Sequence, residues 1–544
     1  MADAAPVSAA GVYGDSWYAA TMAPAPSRPA LSYDIDVDVC VVGGGLAGLT
    51  AAREIARRGW SVALLEADRI ASHASGRNTG FVLPGVSADA DRLIARVGFE
   101  KTRDLWALAQ AGLDYVRATI ETERVRGIDL EEGWLYVSKT DNGDEFVRYV
   151  GLLGELGCEI EAWPTERVRS VLRSERYFNA INYLRAFTIH PVNYAQALAA
   201  AAERDGARLF ENTPALSMDP SGVRKRIVTP GARLRANQVV LCGNLGLGTL
   251  MPRLAATLVP VTTYVITTAP LGDGLREAVG YRGGISDSDH ADNHYRIVDG
   301  DRLMLSGRST AWARDPRRYI RALTGDIGKT YPQLGDVTAD YAWSGTLGNT
   351  VHRMPQLGEL GPGVWLASGF GGHGLNTTAM AGNVIARAVV EGDETWRQFT
   401  PFELVWAGGS AGRAAVQVRA WYKRLRDAVL QRRAKAREKT REAAREGVGL
   451  QAKADENANV ALAQGAEPEV AVPDAPAAMQ SSAPEPATPE PATPESATTK
   501  PAEAAPAPGP EQSIVPQSEV PEASTPAQPP RRRRRRRADQ DVKT

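Results

Sequence analysis

Residues 37–70 read VDVCVVGGGLAGLTAAREIARRGWSVALLEADRI, and the order of residue types in this stretch decides the fold. Val37 to Val42 is a short apolar run of strand type. Gly43, Gly45 and Gly48 follow in the pattern GxGxxG, and a helix-like stretch then runs to Arg58. A second strand, Ser61 to Leu65, ends at Glu66, 23 residues after Gly43. Each glycine has a physical task. Gly43 permits the tight turn, Gly45 lets the backbone approach a pyrophosphate, and Gly48 allows close packing of helix on strand. The helix N-terminus offers amides and a positive dipole end to phosphates, and Glu66 can accept hydrogen bonds from ribose hydroxyls. Strand, turn, helix and acid all agree, so the stretch predicts a bound dinucleotide. The acid argues against a 2'-phosphate and leaves NAD or FAD.

The rest of the chain bears on that choice. An NAD dehydrogenase would continue with further βαβ units, whereas here Gly80 is followed by a long helical insertion from about Asp89. A second strand end of nucleotide-domain type, ANQVVLCG, lies at Ala236 to Gly243. A third, GVWLASGFGGHGLN, spans Gly363 to Asn376 and opens a helix at about Thr377. Three separated glycine-rich strand ends predict one nucleotide domain interrupted by insertions.

At 544 residues, with 43% hydrophobic and 23% charged residues, the chain has room for two or three folding units and a sizeable core. The formal net charge of -1 hides acidic and basic segments that cancel near the C-terminus, and so predicts no partner. Cys40, Cys158 and Cys242 share no close spacing, which supports neither a disulfide framework nor a metal site. The first residues, MADAAPVSAAGVYGDSW, have no basic start and no apolar segment of signal type. No apolar run reaches the ~18 residues that a membrane span needs. A cytoplasmic protein is expected.

Composition changes near Gly447. Beyond it the chain is rich in Ala, Pro, Glu, Ser and Thr, including APEPATPEPATPESATT, and 447–544 reads as disordered. Just before it, 412–446 reads as one long helix in which Val418, Trp421, Tyr422, Leu425 and Val429 recur at helical spacing among basic residues. Its first half is expected to dock on the body and its second half to be solvated; an anionic partner such as membrane lipid or nucleic acid is the functional alternative. Arg531 to Arg537 form a run of seven arginines, expected to act as a nonspecific electrostatic appendage for an anionic partner, with no specific nucleic-acid recognition.

Several motifs together resemble the D-amino-acid oxidase superfamily of FAD-dependent amine oxidoreductases. They are SWYAAT (16–21), DVCVVGGGLAGLTAA (38–52), ASGRNTG (74–80), His190-Pro191, LMLSGRS (303–309), GFGGHGLNTT (369–378) and FELVWAGG (402–409). Within that superfamily the likeness is nearest the gamma-glutamylputrescine oxidase type, and it spans 16 to about 430.

The resemblance implies an α/β fold, α+β overall: a Rossmann-like FAD-binding domain with an interleaved substrate domain on a mostly antiparallel sheet, and a disordered tail. Its implied boundaries are an N-terminal arm over 1–35, the FAD-binding domain over 36–95, 190–249 and 351–400, the substrate domain over 96–189 and 250–350, and a helical extension over 401–446. Gly43, Gly45 and Gly48 would hold the pyrophosphate, Glu66 the ribose, and the backbone of Ala215 the adenine. Ser75, Gly76, Arg77 and Asn78 would hydrogen-bond the flavin ring and pyrophosphate. Gly371, Gly372, His373, Gly374, Asn376 and Thr377 would lie along the flavin, beside a helix N-terminus that stabilises its reduced anion.

The implied reaction is oxidation of a C–N bond by hydride transfer to FAD, imine hydrolysis, and reoxidation by O2 to give H2O2. A dehydrogenase passing electrons to a carrier or quinone is the alternative. A flavin-containing interaction protein acting through its basic tail is the alternative of another class. His373, Arg77 and Arg308 are the catalytic candidates, the two arginines as partners for a distal carboxylate. For both, a structural ion pair is the competing reading. Glycine and sarcosine oxidases use a lysine in the GHG-containing turn to hold the substrate carboxylate. Asn376 stands there, so an amine or polyamine derivative fits better than a simple N-methyl amino acid.

His190 has a second reading as a helix-entry residue. His73-Ala74-Ser75-Gly76 matches the context in which dimethylglycine and sarcosine dehydrogenases join a histidine covalently to the flavin 8α carbon. Two readings follow for His73: a covalent tether, or a ring packed near the dimethylbenzene edge.

Overall fold

The computed structural model describes residues 13–287 and 293–422, with 425, 426, 429 and 432. The tail over 447–544, including Arg531 to Arg537, lies outside the described residues. The chain divides into two compact units, Met1–Ala461 and Leu462–Thr544, and every described residue belongs to the first.

That unit contains two sheets. In the first, β1 (Ile35–Val42) pairs in parallel with β2 (Val62–Leu65) on one side and β10 (Arg233–Leu241) on the other. β7 (Arg208–Phe210) and β17 (Val364–Ser368) extend it in parallel, and β16 (Gln356–Gly361) closes one edge antiparallel to β17. The spatial order is β16-β17-β10-β1-β2-β7. A small ribbon, β8 (Ser217–Asp219) and β9 (Lys225–Val228), joins antiparallel through the first residues of β10. Val37, Val39, Cys40, Val41 and Val42 are all buried, as a parallel strand covered on both faces requires.

Helices cover this sheet. α1 (Leu46–Arg57) follows β1, α3 (Phe99–Glu123) follows the short helix Ala90–Val97, α4 (Pro191–Arg204) leads into β7, and α5 (Gly374–Glu391) follows β17. Close helix contacts depend on missing side chains. A Cβ on Gly382 of α5 would lie 2.5 Å from Cβ of Thr50 in α1, and one on Gly112 of α3 would lie 2.2 Å from the Asn376 carbonyl oxygen. His190 is the N-cap of α4; its Nδ1 accepts from the Asn193 amide at 3.1 Å and its Nε2 lies 3.2 Å from Thr21 Oγ1. It is a helix-entry residue.

The second sheet runs β15 (Ala339–Asn349), β11 (Val259–Thr268), β14 (Arg302–Thr310), β13 (His294–Val298), β12 (Gly284–Asp287), β4 (Glu131–Val137), β6 (Ala180–Thr188), β3 (Phe81–Val82), with β5 (Ile160–Trp163) also on β6. Every pairing is antiparallel except β12 with β4. One face buries Leu303 and Leu305 with Leu323 and Ile327 of the helix Ile320–Thr330. The opposite face packs Met304 and Trp343 against Trp17 and Tyr18 of the short helix Trp17–Thr21. The mixed architecture matches the expected fold class.

Two expectations need correction. The helix after β17 starts at Gly374 rather than Thr377. Gly369 (φ +72°) and Gly371 (φ +60°) complete the turn early, so Thr377 already sits in the first turn, with its amide and hydroxyl both donating to the His373 carbonyl. The helix expected over 412–446 begins at 409, and its apolar stripe is not docked. Gln417 touches the body, its Oε1 accepting from the Ala311 amide at 3.1 Å, but Val418, Trp421, Tyr422, Leu425 and Val429 are exposed. A single polar anchor at Gln417 turns the stripe away from the core instead of onto it.

Candidate active site

The turn after β1 is shaped by contacts that exclude side chains. Gly43 adopts φ +113°, and a Cβ there would lie 2.8 Å from the carbonyl carbon of Cys242 at the end of β10. A Cβ on Gly48 would lie 2.0 Å from the Gly43 carbonyl oxygen. A Cβ on Gly45 would come within 3.0 Å of Ser75 Oγ. The loop that carries Ser75 is thus pressed against the start of α1, whose cap residue Gly45 has no side chain to satisfy the first-turn amides. Ser75 supplies what is missing, its Oγ accepting from the Leu46 amide at 3.2 Å.

Glu66 stands at the end of β2. It is buried, and its Oε2 accepts from the Gly44 amide at 2.6 Å while Oε1 accepts from the Asp68 amide at 2.9 Å. Burial pushes its carboxyl up and the two amides pull it down, with the upward effect winning. Each oxygen keeps a second lone pair for a ribose hydroxyl. Ala215, partly buried among the residues around β7 to β10, lies two residues past Thr213, whose amide donates to the Glu66 carbonyl at 2.7 Å.

The segment 73–80 folds as the short helix α2 (Ala74–Arg77) with His73 as N-cap. Gly76 is close-packed, since a Cβ would lie 2.3 Å from the Ala71 carbonyl oxygen. Asn78 bonds its own loop: its Nδ2 donates to the Ser75 and Ala74 carbonyls and its Oδ1 accepts from the Gly80 amide at 2.8 Å. Arg77 Nε donates to the Ser72 carbonyl at 2.7 Å, and the Arg77 carbonyl accepts from Trp343 Nε1 on β15 at 3.1 Å. This loop therefore connects the two sheets, through Ser75 to α1 and through Arg77 to β15. His73 points outward, and its Nε2 bonds Asp68 Oδ2 at 2.7 Å.

At the other end of the site, the glycine turn after β17 meets the end of β15. A Cβ on Gly371 would lie 2.8 Å from Asn349 Oδ1 and 2.9 Å from Ser87 Oγ, and the His373 amide donates to Ser87 Oγ at 3.1 Å. Gly372 and Gly374 flank His373. The buried Nδ1 of His373 has no partner among the described residues. Burial, helped by the positive charge of Arg353 and any charge on His294, holds its imidazole down at about 4. It is neutral at pH 7.

His294 on β13 did not stand out in the sequence. Its Nδ1 lies 2.6 Å from Ser286 Oγ, which accepts from Trp134 Nε1 at 2.7 Å, and its ring meets Phe81 edge-on at 5.6 Å. The indole can only donate to Ser286, so the serine oxygen joins Trp134 and His294 in one chain of hydrogen bonds. The only linear signal was a histidine opening an alternating strand, HYRIV, and only pairing across β12, β13 and β4 brings its partners together.

Two further site residues bond within the fold. Asn376 is fully buried, with Nδ2 donating to the Gly85 carbonyl at 2.8 Å and the Ala109 carbonyl at 3.3 Å. Its Nδ2 holds α5 against α3, while its buried Oδ1 has no partner among the described residues. Arg308 should share the face of Met304 and Ser306 by strand alternation. However, β14 shifts register against β11 between Tyr264–Gly307 and Thr262–Thr310, and Arg308 takes φ +58°. That irregularity aims the guanidinium at Asp326 of the helix Ile320–Thr330, on the Leu305 face, where the two form an ion pair. The competing reading of Arg308 is the one observed.

The family model described as "FAD dependent oxidoreductase" matches residues 38–388, a span that covers the glycine turn, both sheets and α5 almost entire. The chain belongs to this FAD-dependent oxidoreductase family. Gamma-glutamylputrescine oxidoreductase of Escherichia coli (strain K12) is 32% identical over 391 residues, which are 70% of this chain and 89% of that protein. The "probable oxidoreductase OrdL" of Rhizobium meliloti (strain 1021) is 31% identical over 376 residues, 69% of this chain and 87% of the relative. Among solved structures, glycine oxidase from Geobacillus kaustophilus matches with TM-score 0.57 and 22% identity, covering 68% of this chain and 98% of that one; at that identity the likeness concerns the fold.

The residues present fit FAD. The turn at 43–45 is bare backbone, with Gly43 and Gly45 partly open and Gly44 packed so that a Cβ would meet Ile70 at 2.7 Å. A buried carboxylate with spare acceptor capacity stands beside that turn, and at the far end a buried imidazole nitrogen waits for a partner. Among the described residues no helix is long and apolar enough to cross a membrane.

Proposed function

We propose that the enzyme oxidises the C–N bond of an amine, of the polyamine or gamma-glutamylated amine class, with the resulting imine hydrolysed in water and O2 reduced to H2O2. Bound FAD supplies the two-electron acceptor. The turn at Gly43, Gly45 and Gly48 holds its pyrophosphate, Glu66 its ribose and the backbone near Ala215 its adenine, while Ser75, Gly76, Arg77, Asn78, Gly371, Gly372, Gly374 and the backbone of Thr377 line its path.

The observation that carries this reading is the half-buried His373, whose Nδ1 is buried without a partner among the described residues and whose imidazole is held neutral near His294. An amine must be unprotonated to lose hydride, and a neutral imidazole can accept a hydrogen bond from its N–H without adding a positive charge, whereas a protonated one would repel a cationic substrate. Substrate class rests on two supports: the turn residue Asn376 is committed to the core and offers no clamp for an α-carboxylate, and the chain is 32% identical to a gamma-glutamylputrescine oxidoreductase. Anaerobic mixing with polyamines, gamma-glutamylated amines and N-methyl amino acids should bleach the flavin absorbance with one of the first two groups. No bleaching by any amine overturns the reading, and bleaching by N-methyl amino acids alone overturns the substrate class. Rapid O2 uptake by the reduced enzyme separates an oxidase from a dehydrogenase serving another acceptor.

One observation favours a covalent form of the cofactor. Asp68 holds His73 Nε2 at 2.7 Å, which fixes the ring and leaves Nδ1 for a bond to the flavin 8α carbon. Acid precipitation should give a yellow pellet; FAD released in full to the supernatant rules the bond out.

A further inference from the structure

The helix that starts at 409 carries an apolar stripe that is exposed among the described residues, and we propose that this stripe docks the enzyme on an anionic lipid surface. With about 3.6 residues per turn, Val418, Trp421, Tyr422, Leu425 and Val429 fall on one side of the helix, and all five are exposed, Trp421 at 59% and Leu425 at 68%. Trp406, three residues before the helix, is also 68% exposed. A stripe of this size left in water is costly, and a monomeric protein does not normally display one without a use for it.

Charge selects the occupant. From 409 to 432 the sequence has six basic residues, Arg413, Arg419, Lys423, Arg424, Arg426 and Arg432, against the single acid Asp427. Helical spacing sets Arg419 and Arg426 along one border of the stripe. A second copy of this helix, stripe to stripe, would set six basic residues against six, with one acid in each copy to meet them. Nucleic acid would satisfy the arginines and leave Val418, Leu425 and Val429 in water. An anionic bilayer satisfies both: the aliphatic residues enter the acyl boundary, Trp421 and Tyr422 sit at the headgroup level, and the basic side chains reach the phosphates. The anchor at Gln417, whose Oε1 accepts from Ala311 N at 3.1 Å, keeps the stripe turned outward, so docking needs no unfolding of the body.

The full-length flavoprotein, floated through a density gradient with vesicles, tests this. Wild-type protein should rise with vesicles of phosphatidylcholine and phosphatidylglycerol and stay down with phosphatidylcholine alone. The double variant Trp421→Glu, Leu425→Glu should lose at least about tenfold in bound fraction while its FAD content and melting temperature stay at wild-type values, since neither side chain packs in the body. Its arginine run Arg531 to Arg537 is intact, so flotation of the variant equal to wild type would assign binding to that run and overturn the proposal. Failure of the wild type to float, or a self-association that the double variant abolishes, would overturn it as well.

Discussion

Replacing Glu66 by glutamine tests the cofactor site at its most constrained point. The carboxylate accepts one backbone amide on each oxygen, Gly44 N at 2.6 Å and Asp68 N at 2.9 Å. A glutamine has one accepting end. Whichever way it turns, its NH2 must face one of those two N–H groups, leaving a buried donor opposite another donor. Loss of a charge-assisted bond costs about 1.5–3 kcal/mol and a stranded buried donor about 1–3 kcal/mol. Against this, burial already raises the carboxyl, so removing its charge returns part of the desolvation cost. A net loss of about 2 kcal/mol in the apoprotein follows, and a ribose hydroxyl that bonded a carboxylate now bonds an amide, weakening FAD binding by about tenfold. Fluorescence titration of apoprotein with FAD, in a His73→Ala background so that no bond through residue 73 masks the change, measures the second; thermal unfolding measures the first. A glutamine variant that binds FAD within about threefold of its parent and melts within about 1 °C of it would refute the argument.

Three further outcomes are expected. Gly48→Ala places a Cβ 2.0 Å from the Gly43 carbonyl oxygen; the turn must open, at about 1–3 kcal/mol or more, and the purified variant should have a much lower ratio of flavin to protein absorbance. His190 and His373 are held at about 3 and about 4, below the ordinary 6.5, chiefly by burial. The unfolded chain therefore takes up protons near pH 6.5 that the folded chain refuses until about pH 4, so stability present above pH 6.5 falls as the pH drops, by up to ~2.7 kcal/mol per pH unit from the pair. Urea unfolding between about pH 7 and pH 5 should show this fall, and His190→Gln should remove about half of its slope. Arg308→Ala should lower the melting temperature, because Asp326 loses its partner, and leave KM for the amine within about twofold; a tenfold rise in KM would return Arg308 to the substrate.

The nucleotide half of the fold was legible because its signals are local. A strand, three glycines at fixed spacing and an acid at the next strand end are bound by steric contacts within 30 residues of one another, and the collisions that a Cβ would meet at Gly44, against Glu66 and Ile70, and at Gly48, against Gly43, are the physical form of that motif. Ser75 and Gly76 were implied only by the family resemblance, and the structure lays their loop directly against the start of α1. The substrate side was less legible. Arg308 looked available on a strand of alternating pattern, and a single residue of positive φ reversed its direction. Asn376 sat in the expected turn, but helix rotation, which no motif specifies, put its Nδ2 against Gly85 and Ala109 and left its Oδ1 without a partner among the described residues. His294 acquired meaning only from Ser286 and Trp134, brought to it by strands far apart in the chain. The stripe on the last helix shows the same limit: periodicity marks an apolar face without saying what covers it, and one hydrogen bond from Ala311 to Gln417 decides that the body does not. Residue order alone thus determined that this chain binds a dinucleotide on a Rossmann-like unit, since backbone sterics act over short spans. Tertiary packing alone decided where the candidate side chains Arg308, Asn376 and His294 find their partners, since orientation depends on bulges, helix rotation and partners from other strands.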